Sequence, residues 1–534
     1  MNSRIEEEAA RRRTIAVISH PDAGKSTLTE SLLLHASAVA EAGAVHGKST
    51  RTSTVSDWMD IEKTRGISIS SAAIQFTVDD VVFNLVDTPG HADFSEDTYR
   101  VLAAVDAAIM LIDASKGMEA QTIRLFEVCA RRDLPVIVMI NKWDRPGRPA
   151  LELLDELIAL TGRQPMPVSW PVGDAGYFQG LLDVATRELL VFDPDGSGAH
   201  LPVVRRVPAH DVAGTGDAWQ TAVEEAELVA LDGGEYSQHS FLDLSGMPVF
   251  FGAAVRNIGV GELLRFIHDH APSASPRAST DGHLRPVNGD FSAQVFKVQA
   301  SMDPAHRDRV AFVRICSGQF TRGMVTSHAQ SGRTFATKYA LHMFGRERET
   351  VDTAWPGDIV GLVNATLLHP GDTLYANDQV EYVGMSSFTP ELFALVSPDD
   401  TGSVKKFRKG LTQLAEEGVI QLLESERRGP QTPMVGAVGQ MQFEVLTARM
   451  LTDFGVGIRV SHLPYTIACP TDSVTAASLH DRRDCEVVAR RDDHLVLFID
   501  EWRLRALQRE RPDLNFETPR QRAGTYARSE RRAS

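Results

Sequence analysis

The chain is 534 residues long, and its 55 Lys and Arg against 71 Asp and Glu leave a formal net charge of −16. At roughly 150 residues per domain, that length predicts about three to four domains rather than one compact fold. Ordinary hydrophobic (43%) and charged (24%) fractions exclude a mainly disordered, collagen-like or coiled-coil chain; the acidic total, taken alone, points away from a nucleic-acid partner.

The polar N-terminus MNSRIEEEAARRR begins no signal peptide, and Glu7/Arg11 and Glu8/Arg12 are spaced to pair on one helix face. Four continuous apolar runs follow: TIAVI at 14–18, VVFNLV at 81–86, AAIMLI at 107–112 and PVIVMI at 135–140. Such runs, separated by amphipathic stretches, predict strands buried on both faces of a mainly parallel sheet with ligand loops at their carboxyl ends. MPVFF at 247–251 is expected to close this domain, 1–275, after an insertion at about 165–246. Between Asp211 and Asp243 the insertion carries eight acids and no Lys or Arg. APSASPRASTDG at 271–282 has the composition of a linker. Residues 286–385 alternate in strand fashion (FSAQVFKV, DRVAFVRI), with turns at Ser317-Gly318, Pro356-Gly357 and Pro370-Gly371, and predict a β-barrel. In 386–534, VKKFRKGLTQLAEEG reads as an amphipathic helix ending at Gly418, and strand-like pieces follow, which predicts an α+β domain. Val101 to Ala114, the most apolar stretch, is broken by Asp106 and too short to span a bilayer, so a soluble, cytoplasmic chain with no membrane partner is expected. Cys129, Cys316, Cys469 and Cys485 stand far apart and read as buried thiols rather than a zinc site or disulfide framework.

Three motifs carry chemistry, each at the end of an apolar run. Ser19-His20-Pro21-Asp22-Ala23-Gly24-Lys25-Ser26-Thr27 matches the phosphate-binding loop GxxxxGK[ST] except for Ser19 at its first position. Successive backbone N–H groups can wrap phosphates, Gly24 permits close approach, Lys25 neutralises charge, and the Ser26 hydroxyl suits Mg²⁺. Asp87-Thr88-Pro89-Gly90-His91 ends the next run. Its acid can hold Mg²⁺ through water, and Gly90 can offer an N–H to a γ-phosphate; alone, DTPG could be only a turn. Asn141-Lys142-Trp143-Asp144 follows two strands on. The Asp144 carboxylate can accept from guanine N1–H and the 2-amino group, an edge adenine lacks. Asn141 would tie the loops together, with the Lys142 stem packed on the base. The order of the three points to GTP and GDP as ligands.

This set resembles the translational GTPases. Lys63-Thr64-Arg65-Gly66-Ile67-Ser68-Ile69 is similar to their first switch segment, with Ser68 in place of the usual Thr as a Mg²⁺ ligand. Gly252-Ala253-Ala254-Val255 resembles their last guanine loop, where the Ala254 N–H would meet guanine O6 and Ala253 replaces the usual Ser. The resemblance makes His91 the residue that positions the attacking water, in a GTPase whose slow intrinsic rate the ribosome raises. His20 is expected to fill space rather than act as acid or base. Within the family, MDPAHRDRVAF at 302–312, VGAVGQMQFE at 435–444, FTPELF at 388–393 and DWMDIEKTRGISIS at 57–70 resemble the class II release factors. That implies a multidomain chain, α/β + β + α/β. It would comprise a P-loop GTPase domain with an inserted subdomain, a β-barrel domain and an α+β C-terminal domain.

The resemblance also implies partners: the ribosome, its rRNA and proteins, and class I release factors, which the GTP form would help to leave after peptide release. No DNA partner is implied, and the chain is expected to be a monomer. It has no Gly-Gly-Gln tripeptide, only Val438-Gly439-Gln440, so it should neither read stop codons nor hydrolyse peptidyl-tRNA itself. The competing readings are a back-translocase or ribosomal protection protein, which would carry further C-terminal domains, and a GTP sensor unrelated to the ribosome. The nine Arg between Glu501 and Ser534 form either an RNA-facing extension or a solvated tail. The acidic insertion is the region least suited to touch RNA; it would face solvent or a basic ribosomal protein.

Overall fold

The computed structural model describes residues 2–37, 69–193, 200–212, 216–300, 309–344, 347–385, 389–429, 432–490 and 493–514. The chain divides into two compact units, Met1–Ser386 and Ser387–Ser534.

The first unit is built on a sheet of strands β1 (Arg12–Ser19), β2 (Ala72–Val78), β3 (Val81–Asp87), β4 (Ala107–Asp113), β5 (Val136–Asn141), β6 (Gln164–Pro167) and, after the four insertion strands β7–β10 given below, β11 (Gly246–Phe251). Their order is β2-β3-β1-β4-β5-β11-β6, parallel throughout except for β2. The apolar runs occupy β1, β3, β4 and β5, and their unbroken hydrophobicity has a direct cause: both faces of the sheet are covered. Ala16 and Ile18 enter one core while Ile15 and Val17 enter the other, and in β4 Met110 and Ile112 are likewise separated from Ile109 and Leu111. The helix Ala120–Arg131 lies over the first face, and Lys25–His35 and Val260–His270 over the second.

MPVFF, expected to close the domain, forms β11, which pairs with β5 on one side and β6 on the other. Residues 164–167, placed near the start of the insertion, form the edge strand of the main sheet. Hydrophobic runs report burial but not strand order, which depends on where each crossover returns. The inserted sheet begins at β7 (Ser169–Val172) and continues through β8 (Gly180–Asp183), β9 (Glu188–Asp193) and β10 (Val203–Pro208), antiparallel in sequential order. The helix Gly216–Val229 packs on it, with Ala222 and Ala226 buried. Part of the acid of this region has partners: Arg187 pairs with Glu227 at 2.9 Å, and Trp170 Nε1 donates to Glu225 at 3.0 Å.

The rest of the first unit is a barrel-like antiparallel sheet of eight described strands, with Ser292–Ala300 and Arg309–Ser317 as its central pair. The predicted turns fall where the backbone needs glycine, with Gly318, Gly357 and Gly371 all at positive φ. A bulge between Val295 and Lys297 changes which face the chain presents. Val295 and Val298 fill the barrel core, whereas Phe296 joins Phe312 and Ile359 in the core of the seven-stranded sheet. The two parts therefore share a hydrophobic core. Polar contacts add to it: Arg314 meets both Asp106 carboxylate oxygens at 2.8 Å, Arg12 meets Asp358 at 2.8 Å, and Thr14 Oγ1 donates to Gly357 O at 2.6 Å.

The second unit has a four-stranded antiparallel sheet in the order Gln421–Leu423, Met434–Ala437, Leu392–Pro398, Ile458–His462, and a three-stranded one centred on His494–Phe498. Helices Val404–Glu416 and Gln440–Phe454 pack together. The VGAVGQMQFE segment explains its own shape. Gln442 Oε1 accepts the N–H groups of Val438 and Gly439 while its Nε2 donates to Val419 O at 2.8 Å, capping the second helix and tying it to the end of the first. All four cysteines are free and buried, and burial pushes the Cys129 and Cys469 thiols up to about 12. Among the described residues, no helix is long and apolar enough to cross a membrane.

Candidate functional site

The carboxyl ends of β1, β3 and β5 bring the three motifs together. Ser19 ends β1, and its buried hydroxyl donates to His20 O at 2.8 Å. Asp22 and Gly24 take the left-handed conformation, with φ of 65° and 98°, which lets the loop turn back on itself before the helix begins at Lys25. A Cβ on Gly24 would lie 2.6 Å from the Asn141 amide nitrogen, so a side chain there would push the loops apart. Ser26 and Thr27 stand in the first turn of the helix Lys25–His35, where unsatisfied N–H groups and the positive end of the helix dipole favour an anion. Ala23 is fully buried, and His20 and Pro21 line the approach of Gly90.

Lys25 Nζ sits 2.6 Å from Asp87 Oδ1, with both side chains nearly inaccessible. A buried ammonium held by a carboxylate at a helix N-terminus is a cation stored where a phosphate would draw it away. Thr88 Oγ1 donates to Val17 O at 2.7 Å and Pro89 O accepts from Thr98 Oγ1 at 3.2 Å, so the middle of the DTPG segment is held in place. His91 caps the short helix Ala92–Phe94: its Nδ1 accepts from the Asp93 N–H and lies 3.2 Å from Asp93 Oδ1. A hydrogen bond that the protonated ring can give to the Asp93 side chain raises the His91 pKa above the usual histidine value against the opposing effect of burial. His20 behaves oppositely: burial lowers its pKa, and the nearby Glu119 carboxylate only partly offsets this.

Asn141 joins loops far apart in sequence. Its Nδ2 donates to Ala23 O at 2.8 Å, and its Oδ1 accepts from the Ala254 N–H at 2.9 Å. The Ala254 N–H, expected to meet guanine O6, is thus already given to Asn141. The hydroxyl missing at Ala253 is covered by backbone, since Ala253 and Ile258 exchange N–H···O bonds at 3.1 Å in both directions. Lys142 Nζ donates to Asp22 O at 2.5 Å and to Asp113 Oδ2 at 2.7 Å, which fixes its stem. Burial works to raise the Asp113 pKa, but hydrogen bonds from Lys142 and Ser115 outweigh it and hold the carboxyl below its usual range. Trp143 is buried edge-on against Phe251. Among the described residues, Asp144 Oδ1 is a buried oxygen with no hydrogen-bond partner, and its Oδ2 is 3.6 Å from Arg256. Val255 is half exposed at the rim of the same loop. Ser68 and most of the first switch segment lie outside the described residues, as does 302–308 of the MDPAHRDRVAF segment.

Sequence reading missed Asp113, Glu119 and Arg256. Asp113 carried the same signal as Asp87, an acid at the carboxyl end of a core strand, whereas Glu119 and Arg256 reach the site only through folding.

A buried carboxylate oxygen without a donor is costly to leave unmet. A ligand presenting two N–H groups fits Asp144, and anionic phosphates fit Gly24, Lys25 and the helix start. The residues present therefore suit a guanine nucleotide. Comparison with known proteins gives three family matches: the Elongation factor Tu GTP binding domain over residues 10–273, Elongation factor G domain 2 over 290–377, and the Class II release factor RF3 C-terminal domain over 382–508. Curated relatives include proteins named peptide chain release factor 3. Those of Synechococcus elongatus and Acaryochloris marina are each 40% identical over 97% of this chain, covering 94% and 97% of their own lengths. That of Rippkaea orientalis is 41% identical, with 97% of both chains covered. Among solved structures, a Thermus thermophilus protein has a TM-score of 0.69 at 24% identity, covering 86% of this chain and 70% of its own, a likeness of fold.

Proposed function

The chain belongs to the peptide chain release factor 3 family, and from that premise we propose that it acts on the terminating ribosome, where its GTP form promotes departure of a class I release factor. It hydrolyses GTP, and it neither reads the stop codon nor cleaves peptidyl-tRNA. The observation that carries the nucleotide side of this reading is the unpartnered Asp144 Oδ1 beside an Asn141 that already binds two loops.

In the proposed cycle, Asp144 accepts the guanine N1–H and 2-amino groups. Residues 19–27 wrap the phosphates with backbone N–H groups, and Lys25 moves from Asp87 to the phosphate charge. Gly90 offers its N–H toward the γ-phosphate, and His91 orients the attacking water. Phosphoryl transfer asks mainly for positioning and charge neutralisation, which such a set supplies without covalent chemistry. Mg²⁺ would be held by Ser26, Ser68 and, through water, Asp87, and when bound it neutralises charge on the phosphates. Three functional parts are proposed: 1–275 with its insertion for the nucleotide, 286–385 as the barrel and 386–534 as the C-terminal domain. The protein works as a cytoplasmic monomer.

GTP hydrolysis measured with and without ribosomes, followed by release of a class I factor from termination complexes, tests the reading. Strong ribosomal stimulation and faster release are expected. Hydrolysis indifferent to ribosomes, or unchanged release, would overturn it.

A further inference from the structure

The helix Val404–Glu416 is electrically reversed. Its first two turns carry Lys405, Lys406, Arg408 and Lys409, all exposed, and its last turn leads into Glu416 and Glu417. A helix favours anions at its N-terminus and cations at its C-terminus, each by about 0.3–1 kcal/mol when exposed. Here the order is opposite, and neighbours three and four apart (405/408, 405/409, 406/409) repel one another as well. Among the described residues none of the four cations enters an ion pair, although Asp399 and Asp400 precede the helix and Asp400 caps Gly402 at 3.0 Å.

Several arginines elsewhere in the second unit are paired. There Arg428 pairs with Glu486, Arg449 with Glu417 and Asp453, Arg482 with Asp484 and Glu510, and Arg490 with Asp493. The opposite face of the same helix is ordinary core, with Phe407, Gly410, Leu411 and Leu414 buried. Packing therefore accounts for one face and leaves the cationic face unexplained. Arg459, also exposed, stands on the edge strand Ile458–His462, next to the loop that enters the helix, where the Asp399 N–H meets Gly457 O.

We infer that the cationic face of the helix Val404–Glu416, with Arg459 beside it, binds the phosphate backbone of ribosomal RNA. This rests on the ribosomal reading above and adds which face of the second unit meets RNA. Among the described residues, neither the helix Val404–Glu416 nor the strand Ile458–His462 carries an exposed large apolar or aromatic side chain. Protein–protein interfaces rely on a buried apolar or aromatic centre, whereas phosphate contacts need only placed cations. RNA is accordingly favoured over an acidic protein surface. A polyanion also relieves the repulsion that the isolated helix carries.

The test compares the full chain with a K405Q/K406Q/R408Q/K409Q variant. The variant keeps the buried face intact, so its thermal midpoint should equal or exceed the parent's, and its GTP affinity should match. Binding to ribosomes with a non-hydrolysable GTP analogue is then measured across a salt series. At about 0.7 in log–log slope for each phosphate neutralised on a single strand, the slope should become shallower by up to about 3, and affinity at low salt should fall at least about tenfold. An unchanged slope with unchanged affinity overturns the inference. Lost affinity with an unchanged slope assigns the face to a protein partner and overturns it too. A parallel series with protein-free ribosomal RNA separates the two levels of the reading. If the parent binds no ribosomes, the proposed function fails, while the RNA series still decides whether this face holds phosphates.

Discussion

At the scale of single residues, the site is defined by which polar atoms lack a partner and which are already committed. Asp144 Oδ1 is buried and unpartnered, whereas Asn141 spends both ends of its amide on holding two loops. Asp144→Asn replaces a charged acceptor by a neutral amide. Hydrogen bonds to a charged group are worth about 1.5–3 kcal/mol, so GTP and GDP affinity should drop roughly 10- to 150-fold. Affinity for ATP should stay as weak as in the parent, and equal losses for both purines in a competition titration would refute the role. His91 supplies a pH prediction. Its raised pKa means the imidazole gains a proton at a higher pH than an ordinary histidine. If the neutral ring orients water, ribosome-stimulated turnover falls as pH drops through that value. Asp93→Asn removes the carboxylate that favours the charged ring, so the acid limb of the pH–rate profile should move to lower pH. A limb that stays in place would show that another group titrates.

At the scale of elements, the barrel strand Ser292–Ala300 reaches the nucleotide-binding part through Phe296 in the shared core and through the polar contacts of Lys297. The bulge before Lys297 turns its ammonium, only 4% exposed, toward Ser70 Oγ (2.6 Å), Ser71 O (2.6 Å) and Ser71 Oγ (2.8 Å), with Asp97 Oδ2 at 3.4 Å. Asp97 Oδ2 also accepts from the Ser71 N–H at 2.6 Å. Residues just after the proposed first switch and a helix just after DTPGH are thus held by one cation from the barrel. Lys297→Met should leave equilibrium GTP affinity within about twofold yet lower thermal stability, since Asp97 and two serines lose a charged donor worth about 1.5–3 kcal/mol. Differential scanning calorimetry beside nucleotide titration checks this; an unaltered midpoint would deny the contact any weight. This kind of link was not legible in the sequence. The phosphate loop, DTPGH and NKxD could be read because each is a short string at the end of an apolar run. Strand type was legible for a similar reason: burial on two faces leaves continuous hydrophobicity. Lys297 lies more than two hundred residues from Ser71, and its direction depends on one bulge. The place of β11 inside the sheet and the commitment of the Ala254 N–H likewise follow from how distant segments meet.

At the scale of the whole molecule, charge is divided unequally. Residues 387–534 hold 21 Lys and Arg against 21 Asp and Glu, so the entire −16 belongs to the first unit. The acidic total therefore never spoke against an RNA-rich partner; it described one unit. Within that unit, Arg314 of the barrel and Arg277 of the linker bind the carbonyls of the two residues that follow the helix Ser95–Leu102. Arg314 Nη1 donates to Ala104 O at 2.6 Å and Arg277 Nη1 to Ala103 O at 2.5 Å, while Arg314 Nη2 clamps the Asp106 carboxylate. Burial lowers the Arg277 pKa, and the neighbouring Arg314 guanidinium lowers it further. Arg314 and Asp106 are each almost wholly inaccessible, so removing one partner strands the other charge. Arg314→Met should destabilise the first unit by about 3–5 kcal/mol, whereas Arg314→Met combined with Asp106→Leu should recover most of that loss, because an apolar pair of similar volume needs no partner. Denaturant unfolding of the parent, both single variants and the double variant gives the coupling energy directly. Additive losses in the double variant would show that the two charges are independent and that the shared hydrophobic core alone joins the barrel to the nucleotide-binding sheet.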